Sequence, residues 1–152
     1  MNPYFCNNFI DANFLDYTGG PKDEAVDVIL QLAEENVITL LLPYSVKAEI
    51  EHPKTPEEVK RKASQLIYSM PVQLTPHELV THQKIRALVQ GNAKPGKHDN
   101  DAFHIVESAK NGGGYFITND ERLLKNAPEI LAALGLNVLK PMEFVDTLVS
   151  FK

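Results

Sequence analysis

Short continuous apolar runs alternate along the chain with segments whose apolar residues repeat at helical spacing. The clearest run is Val37–Leu42, which consists of apolar or β-branched residues and is ended by Pro43. Such a run is typical of a strand that is buried on both faces, as parallel strands are. Strands are predicted in order along the chain at Tyr4–Ile10, Val37–Leu42, Pro71–Leu74, Tyr115–Thr118 and Asn137–Leu139.

The predicted helices lie between these strands and begin at capping residues or prolines. Thr55-Pro56 and Thr75-Pro76 each place a capping threonine before a proline at the first helical position. The other boundaries come from apolar spacing and from glycine and proline breaks. Helices are thus predicted from Gly19-Gly20-Pro21 to about Ala33, Ser45 to Glu51, Thr55 to Met70, Thr75 to Gln90, Asp99 to Lys110, Asp120 to Leu134 with a kink near Pro128, and Met142 to Val149.

This alternation of strands and helices predicts an α/β protein with a parallel sheet and helices on both of its faces. The chain shows no internal repeat and no low-complexity linker, and its 152 residues suit one domain. We therefore expect a single domain over residues 1–152, with a helix-rich segment at about residues 54–97.

The composition is that of an ordinary globular protein, with 43% hydrophobic and 23% charged residues, which argues against disorder and coiled coil. Every apolar run is far shorter than the roughly 20 residues of a membrane span. The N-terminus lacks the basic segment of a secretion signal. Cys6 is the single cysteine, so an internal disulfide is excluded. We expect a cytoplasmic protein with no membrane partner.

Charge is unevenly distributed. The net charge is −5, yet residues 54–97 contain eight Lys and Arg against three Asp and Glu. A basic segment in an acidic protein is typical either of solvated helix faces or of a surface that binds a polyanion. On the second interpretation, nucleic-acid contacts would come from Lys60, Arg61, Lys62, Lys84 and Arg86.

Carboxylates follow the predicted strands at the points where those strands end. Asp11 follows the first strand, Asp120 follows the fourth, and Asp101 lies at the start of the helix between them. Because the carboxyl ends of parallel strands meet at one sheet edge, these side chains should lie close together. Glu49 and Glu51 follow the second strand. Helical spacing places Glu49 beside the buried face, although either glutamate could complete the set.

Clustered carboxylates repel one another, and a hard divalent cation compensates their charge. Mg²⁺ and Mn²⁺ prefer oxygen ligands, and at such a site they activate water for the hydrolysis of phosphate esters. No Ser–His–Asp or Cys–His combination competes with the carboxylates. Of the two aspartates that begin one helix, Asp99 is predicted to be its N-cap, whereas Asp101 borders the buried face and is assigned to the metal.

Three other signals are weaker. Gly91–Lys97 matches G-x-x-x-x-G-K, but His98 stands where a P-loop needs Ser or Thr, and a helix rather than a strand precedes it. Asp11-Ala12-Asn13 is similar to the Asp-x-Asp motif of haloacid-dehalogenase phosphatases, except that the second acid is Asn and no Asp-Asp pair follows a later strand. The five histidines are scattered and no pair has the i, i+4 spacing of a zinc helix. Most are interpreted as surface residues, although His98 and His104 flank the proposed site.

Four blocks, FIDANFLDY, PYSVKAEIEH, HDNDAFHIVESA and GYFITNDERLL, resemble the PIN-domain nuclease family. The resemblance extends from Tyr4 to about Leu139. The family pattern has an Asp after the first strand, a Glu on an early helix, an Asp-Ala helix start and Thr-x-Asp after the next strand. These features match Asp11, Glu49, Asp101 and Thr118-Asn119-Asp120.

The resemblance implies a three-layer α/β/α sandwich, a parallel sheet in the order 3-2-1-4-5 and metal-dependent cleavage of RNA. One or two Mg²⁺ or Mn²⁺ ions would be held by Asp11, Glu49, Asp101 and Asp120. Residues around these ligands or in contact with substrate would be Asn13, Thr118, Asn119 and Asp99, and Asn13 would share a face with Asp11 if the extended chain continued.

Many members of this family are toxin ribonucleases (VapC type) that an antitoxin protein holds. The expected partners are therefore an RNA substrate and, for a toxin, an antitoxin protein, with a second copy of the chain as a further candidate. The alternative is a PIN-like domain that has lost activity and binds RNA or a protein.

Overall fold

The computed structural model describes residues 1–16 and 24–152. Within these residues, one sheet of parallel strands has the order β3-β2-β1-β4-β5. The strands are β1 Asn7–Ile10, β2 Thr39–Leu42, β3 Ile67–Tyr68, β4 Gly113–Ile117 and β5 Asn137–Leu139. The α/β class and the sheet order 3-2-1-4-5 are confirmed.

The helices lie between successive strands, except the last helix, which follows β5. They are α1 Ala12–Leu15, α2 Glu24–Glu34, α3 Lys47–Glu51, α4 Glu57–Ala63, α5 Pro76–Gln90, α6 Asp99–Lys110, α7 Glu121–Lys125, α8 Ala127–Leu134 and α9 Pro141–Ser150. A 3-10 turn, Tyr44–Val46, precedes α3. Among the helices described, none combines the length and the apolar character needed to cross a lipid bilayer.

The central strands send alternate side chains to two separate cores, one on each face of the sheet. Ile10 and Ile117 pack with residues of α2 and α9, such as Ile29 and Phe144. The preceding residues of the same strands, Phe9 and Phe116, pack on the other face with side chains of α5 and α6. Because successive strand residues point to opposite faces, the near-continuous apolar strands bury both sides. The result is a three-layer α/β/α sandwich.

The capping threonine of α5 forms the predicted helix start. Thr75 Oγ1 accepts the Glu78 backbone N–H at 3.2 Å, and the Glu78 carboxylate accepts the Thr75 backbone N–H at 2.8 Å. Lys110 at the end of α6 donates to the same carboxylate at 2.6 Å. Its ammonium group is the main reason that the pKa of Glu78 is lowered to about 2. This pair joins α5 to α6, the helix that carries Asp101.

The third strand does not lie where the sequence predicts it. The helix expected to reach Met70 ends at Ala63, and residues Ile67–Tyr68 pair with β2. Ser69 continues the pairing, since its N–H donates to the Leu42 carbonyl at 2.8 Å. The predicted Pro71–Leu74 strand is not formed, in keeping with the missing N–H of proline.

Smaller differences occur at other boundaries. β1 begins at Asn7 rather than Tyr4. The predicted 120–134 helix is two helices, because α7 ends before Asn126 and α8 starts with Pro128 in its first turn. The final helix is one residue longer at each end than predicted, Pro141–Ser150. The predicted start at Gly19-Gly20-Pro21 lies outside the described residues.

Candidate metal centre

The carboxyl ends of β1 and β4 lie side by side, since Ile10 is in register with Ile117. The residues that follow these strands meet at this edge. Thr118 Oγ1 donates a hydrogen bond to Asp11 Oδ2 at 2.7 Å and accepts the Asp120 backbone N–H at 3.0 Å. One buried hydroxyl therefore orients both the Asp11 carboxylate and the turn that carries Asp120.

Asp11 is the most deeply buried of the predicted metal ligands, with 8% of its surface exposed. Burial raises the pKa of Asp11 to about 6, although hydrogen bonds from Thr118 and the Phe14 backbone lower it and the charge of Asp120 raises it. The Phe14 N–H reaches Asp11 Oδ1 at 3.0 Å because Asp11 is the N-cap of α1. The chain leaves the extended conformation directly after Asp11, so the condition under which Asn13 would share a face with Asp11 is not met, and Asn13 is exposed.

Helices α3 and α6 supply a second group of ligand atoms. Asp101 and His104 are one helical turn apart on α6, so they lie on the same face. His104 Nε2 lies 2.8 Å from Glu49 Oε1. One ligand atom from each of Glu49, Asp101 and His104 lies within 4.8 Å of the others. We give the name metal centre to the candidate site formed by Asp11, Glu49, Asp101, His104 and Asp120, of which Glu49, Asp101 and His104 have ligand atoms close enough to share one cation.

His104 is buried and contacts two elements at once. Its Nδ1 lies 2.6 Å from Ser45 Oγ in the 3-10 turn that precedes α3. Both contacts are satisfied when Nε2–H donates to Glu49 and Nδ1 accepts from the Ser45 hydroxyl. The Ser45 backbone N–H also donates to the buried Glu107 carboxylate at 2.7 Å. Through these bonds α6 fixes the turn that leads into α3, and thereby the position of Glu49.

The electrostatic effects connect the two groups of the metal centre. Burial is the main reason that the pKa of Asp101 is raised, and the negative charges of Asp120 and Glu49 raise it further. The His98 ring, whose Nδ1 lies 3.2 Å from Asp101 Oδ2, lowers it. The charge of Asp120 thus acts on Asp101 as well as on Asp11. The negative charge of Asp120 therefore disfavours the ionised forms of both Asp11 and Asp101.

The structure also shows, on α3 and on α6, which of two neighbouring acidic residues faces the site. Glu49 faces His104, whereas Glu51 pairs with Lys47 at 3.9 Å and is exposed. Asp99 is not the helix cap that was predicted: His98 occupies that position, and the Asp99 carboxylate binds Arg86 at 3.0 Å. Asn119 is exposed.

Three residues that support this site were missed or misassigned in the sequence. His104, which was predicted from the sequence to flank the site but not to be among its ligands, is 2% exposed, and Glu107 is 1% exposed. Ser45 was predicted to cap α3, but its hydroxyl contacts His104 and the cap of α3 makes no side-chain bond. A signal was available for two of them, because Asp101, His104 and Glu107 recur every third residue along one face of a helix.

The basic residues proposed to contact nucleic acid are engaged in different ways. Lys62 is 8% exposed and its ammonium group donates to the Leu15 carbonyl at 3.3 Å, so Lys62 is not presented for a phosphate. Arg86 binds Asp99, and Lys84 is exposed. The remaining two pair within α4, Lys60 with Glu57 at 3.7 Å and Arg61 with Glu58 at 3.8 Å.

The donor set fits a divalent cation. Carboxylate oxygens suit Mg²⁺ and Mn²⁺, and the imidazole nitrogen of His104 is a ligand that first-row transition ions accept. If Nε2 bound a metal, Nδ1–H could donate to Ser45 Oγ, the kind of outer contact that orients metal-binding histidines. Comparison with protein-family models, with curated proteins and with solved structures finds no match.

Proposed function

We propose that this protein is a divalent-metal-dependent ribonuclease of the PIN-domain type. The observation that carries the proposal is the metal centre itself, in which acidic side chains from four separate segments share one electrostatic environment. The parallel sheet in the order 3-2-1-4-5 supports the same family, since it is the order that the sequence resemblance implies.

The chain's own residues set the conditions for the reaction. Glu49, Asp101 and His104 would hold the cation together with Asp11 and Asp120, whose orientation depends on Thr118. A divalent cation at these ligands would supply an activated water and positive charge to oppose that of a phosphodiester. Burial and the charge of Asp120 disfavour the ionised forms of Asp11 and Asp101, and a bound cation would compensate the negative charge of these carboxylates.

A toxin of a toxin–antitoxin pair is the more specific form of this proposal, and the sequence resemblance is its support. A PIN-like domain that binds RNA without cleaving it is the alternative, and the same experiment separates it. The presence of every acid in the family pattern favours the active enzyme.

The direct test is cleavage of a labelled single-stranded RNA by the purified chain with Mn²⁺, with Mg²⁺ and with EDTA. We expect metal-dependent cleavage that EDTA abolishes. Asp101→Asn and Asp120→Asn should lower the rate at least about a hundredfold, because losing a ligand disorganises the cation. Asp146→Asn is the matched control, since Asp146 is exposed on α9. Cleavage that persists in EDTA or in both site variants would contradict the proposal, and RNA binding without cleavage would favour the alternative.

A further inference from the structure

A pocket of about 570 Å³ opens beside the metal centre. Asp120 lines it, so the pocket and the metal centre share a residue. Its other walls come from α7, with Arg122 and Lys125, and from Gly91 and Asn92 just after α5. The pocket is therefore adjacent to the metal centre at Asp120.

Arg122 is fixed in the wall of the pocket by both its backbone and its side chain. Its backbone N–H donates to Asp120 Oδ1 at 2.9 Å. Its Nη1 donates to the carbonyls of Val89 and Gln90 at 3.1 and 2.7 Å. These carbonyls belong to the last turn of α5, and the Gln90 carbonyl also accepts the Ala93 backbone N–H at 2.8 Å.

The other donors of this guanidinium are available to a ligand. Within residues 1–16 and 24–152, no acceptor contacts Nε or Nη2 of Arg122. Gly91 leaves space for the guanidinium, because a side chain at this position would begin 3.2 Å from Arg122 Nη1. Its φ of +49° is also a backbone conformation that favours glycine. A planar guanidinium that is already held in place matches the oxygens of a phosphate.

The pocket is lined by two acids, Asp120 and Glu121, and by two bases, Arg122 and Lys125. Glu121 pairs with Lys140 at 3.8 Å, and Asp120 belongs to the metal centre. Lys125 is exposed and forms no ion pair in the part of the chain that the structure describes. The loop from Gly91 to His98, which joins the pocket to the start of α6, also carries two exposed lysines, Lys94 and Lys97.

We infer that this pocket binds the phosphate backbone of single-stranded RNA next to the bond that is cleaved, with Arg122 and Lys125 as the contacts. The inference deepens the proposed function and rests on it for RNA as the substrate. A concave pocket of this size suits a nucleotide of a single strand, whose flexible backbone can enter, better than a stiff duplex.

The test measures RNA binding separately from cleavage. Fluorescence anisotropy with labelled oligouridylate is recorded in EDTA, so that no cleavage occurs, over a series of salt concentrations. The variants are Arg122→Gln, Arg122→Lys and Lys125→Gln. The control is Lys152→Gln, which lies just beyond α9, at the sheet edge opposite the metal centre, where the Tyr4 hydroxyl donates to Leu148.

Arg122→Gln should weaken binding about tenfold, as expected for a lost charge-assisted contact, and Arg122→Lys should recover part of it. Lys125→Gln should weaken binding about threefold and lower the slope of log affinity against log salt by about 0.7, the value for one phosphate contact with a single strand. The salt slope separates phosphate contact from a structural role. Because Arg122 also caps α5, thermal melts accompany each variant; exposed Lys125 should leave the melting temperature unchanged.

The outcomes separate this inference from the proposed function. If the wild type cleaves RNA but Lys125→Gln and Arg122→Gln bind it like Lys152→Gln, the pocket inference is overturned and the nuclease stands. If these two variants weaken binding but no metal supports cleavage, the pocket stands and the nuclease proposal fails. An equal loss of affinity in Lys125→Gln and in the control Lys152→Gln would overturn the pocket inference. The absence of RNA binding by the wild type would overturn it as well.

Discussion

At the scale of single residues, Asp11 combines burial with a role in folding. Its pKa is raised from 3.8 to about 6 in the folded chain, chiefly by burial. A raised carboxyl pKa means that this group favours the folded state fully below about pH 4, and that the contribution is lost as the pH rises through about 6. In the metal-free protein the loss is on the order of 3 kcal/mol.

Asp11→Asn should remove this pH dependence. The amide keeps the cap of α1 but no longer accepts the Thr118 hydroxyl proton, which costs about 1 kcal/mol at every pH. We therefore expect the variant to be less stable than the wild type near pH 3 and more stable near pH 8. Urea denaturation in EDTA at both pH values measures this, with Asp146→Asn as the control. A stability difference that does not change with pH would contradict the conclusion that burial raises the pKa of Asp11.

The contacts of His104 with two other segments are expected to determine how tightly the site binds Mn²⁺. It contacts Glu49 of α3 and Ser45 of the preceding turn. His104→Ala should lower Mn²⁺ affinity about ten- to a hundredfold, because Glu49 loses the group that orients it or the site loses a ligand. His104→Gln, which retains a donor, should recover part of this affinity. Calorimetric titration with Mn²⁺ measures both, and exposed His77→Ala is the control. Wild-type Mn²⁺ affinity in His104→Ala would remove His104 from the metal centre.

At the scale of secondary structure elements, α6 determines which acids take part. Asp99 and Asp101 both lie in its first turn, but Asp99 binds Arg86 whereas Asp101 faces the metal centre. The Asp99–Arg86 pair is about 40% exposed on both sides, 38% and 43%, so it is worth at most about 1 kcal/mol.

Asp99→Ala should therefore cost little stability and leave RNA cleavage intact. Asp101→Ala should abolish cleavage, because a ligand of the cation is lost. Turnover at saturating Mn²⁺ and thermal melts of both variants make the comparison. If Asp99→Ala were inactive and Asp101→Ala active, the assignment of acids on α6 would be wrong by two positions.

The buried strands were predictable because their apolar runs are continuous, as in Tyr115–Ile117, where every residue is buried. The edge strand Ile67–Tyr68 was not, since two residues give no periodicity and helical residues precede them. The positions of Asp11 and Asp120 were predictable because each of them follows the end of one of the buried strands. The contact between His104 and Ser45 was not predictable, because the two residues are 59 positions apart in the sequence.

At the scale of the whole molecule, the net charge of −5 conceals an uneven distribution of charge. Much of the basic charge in residues 54–97 is neutralised within the fold, as the Lys62–Glu58 contact at 3.3 Å shows. The pocket beside Asp120 instead carries cations from α7. An anionic substrate is thus expected to bind where the cations and the metal centre meet, rather than along α4.

The most direct measurement of the central claim follows Mn²⁺ binding and RNA cleavage in the same titration. If the metal centre is the active site, bound Mn²⁺ and the single-turnover rate should rise together with one midpoint. Asp101→Asn should move both midpoints to at least about tenfold higher Mn²⁺. Cleavage that proceeds before Mn²⁺ is bound would contradict the claim that this cluster is a ribonuclease centre. The claim would also be contradicted if Mn²⁺ fully occupied the site, with an affinity that Asp101→Asn lowers, and no RNA were cleaved.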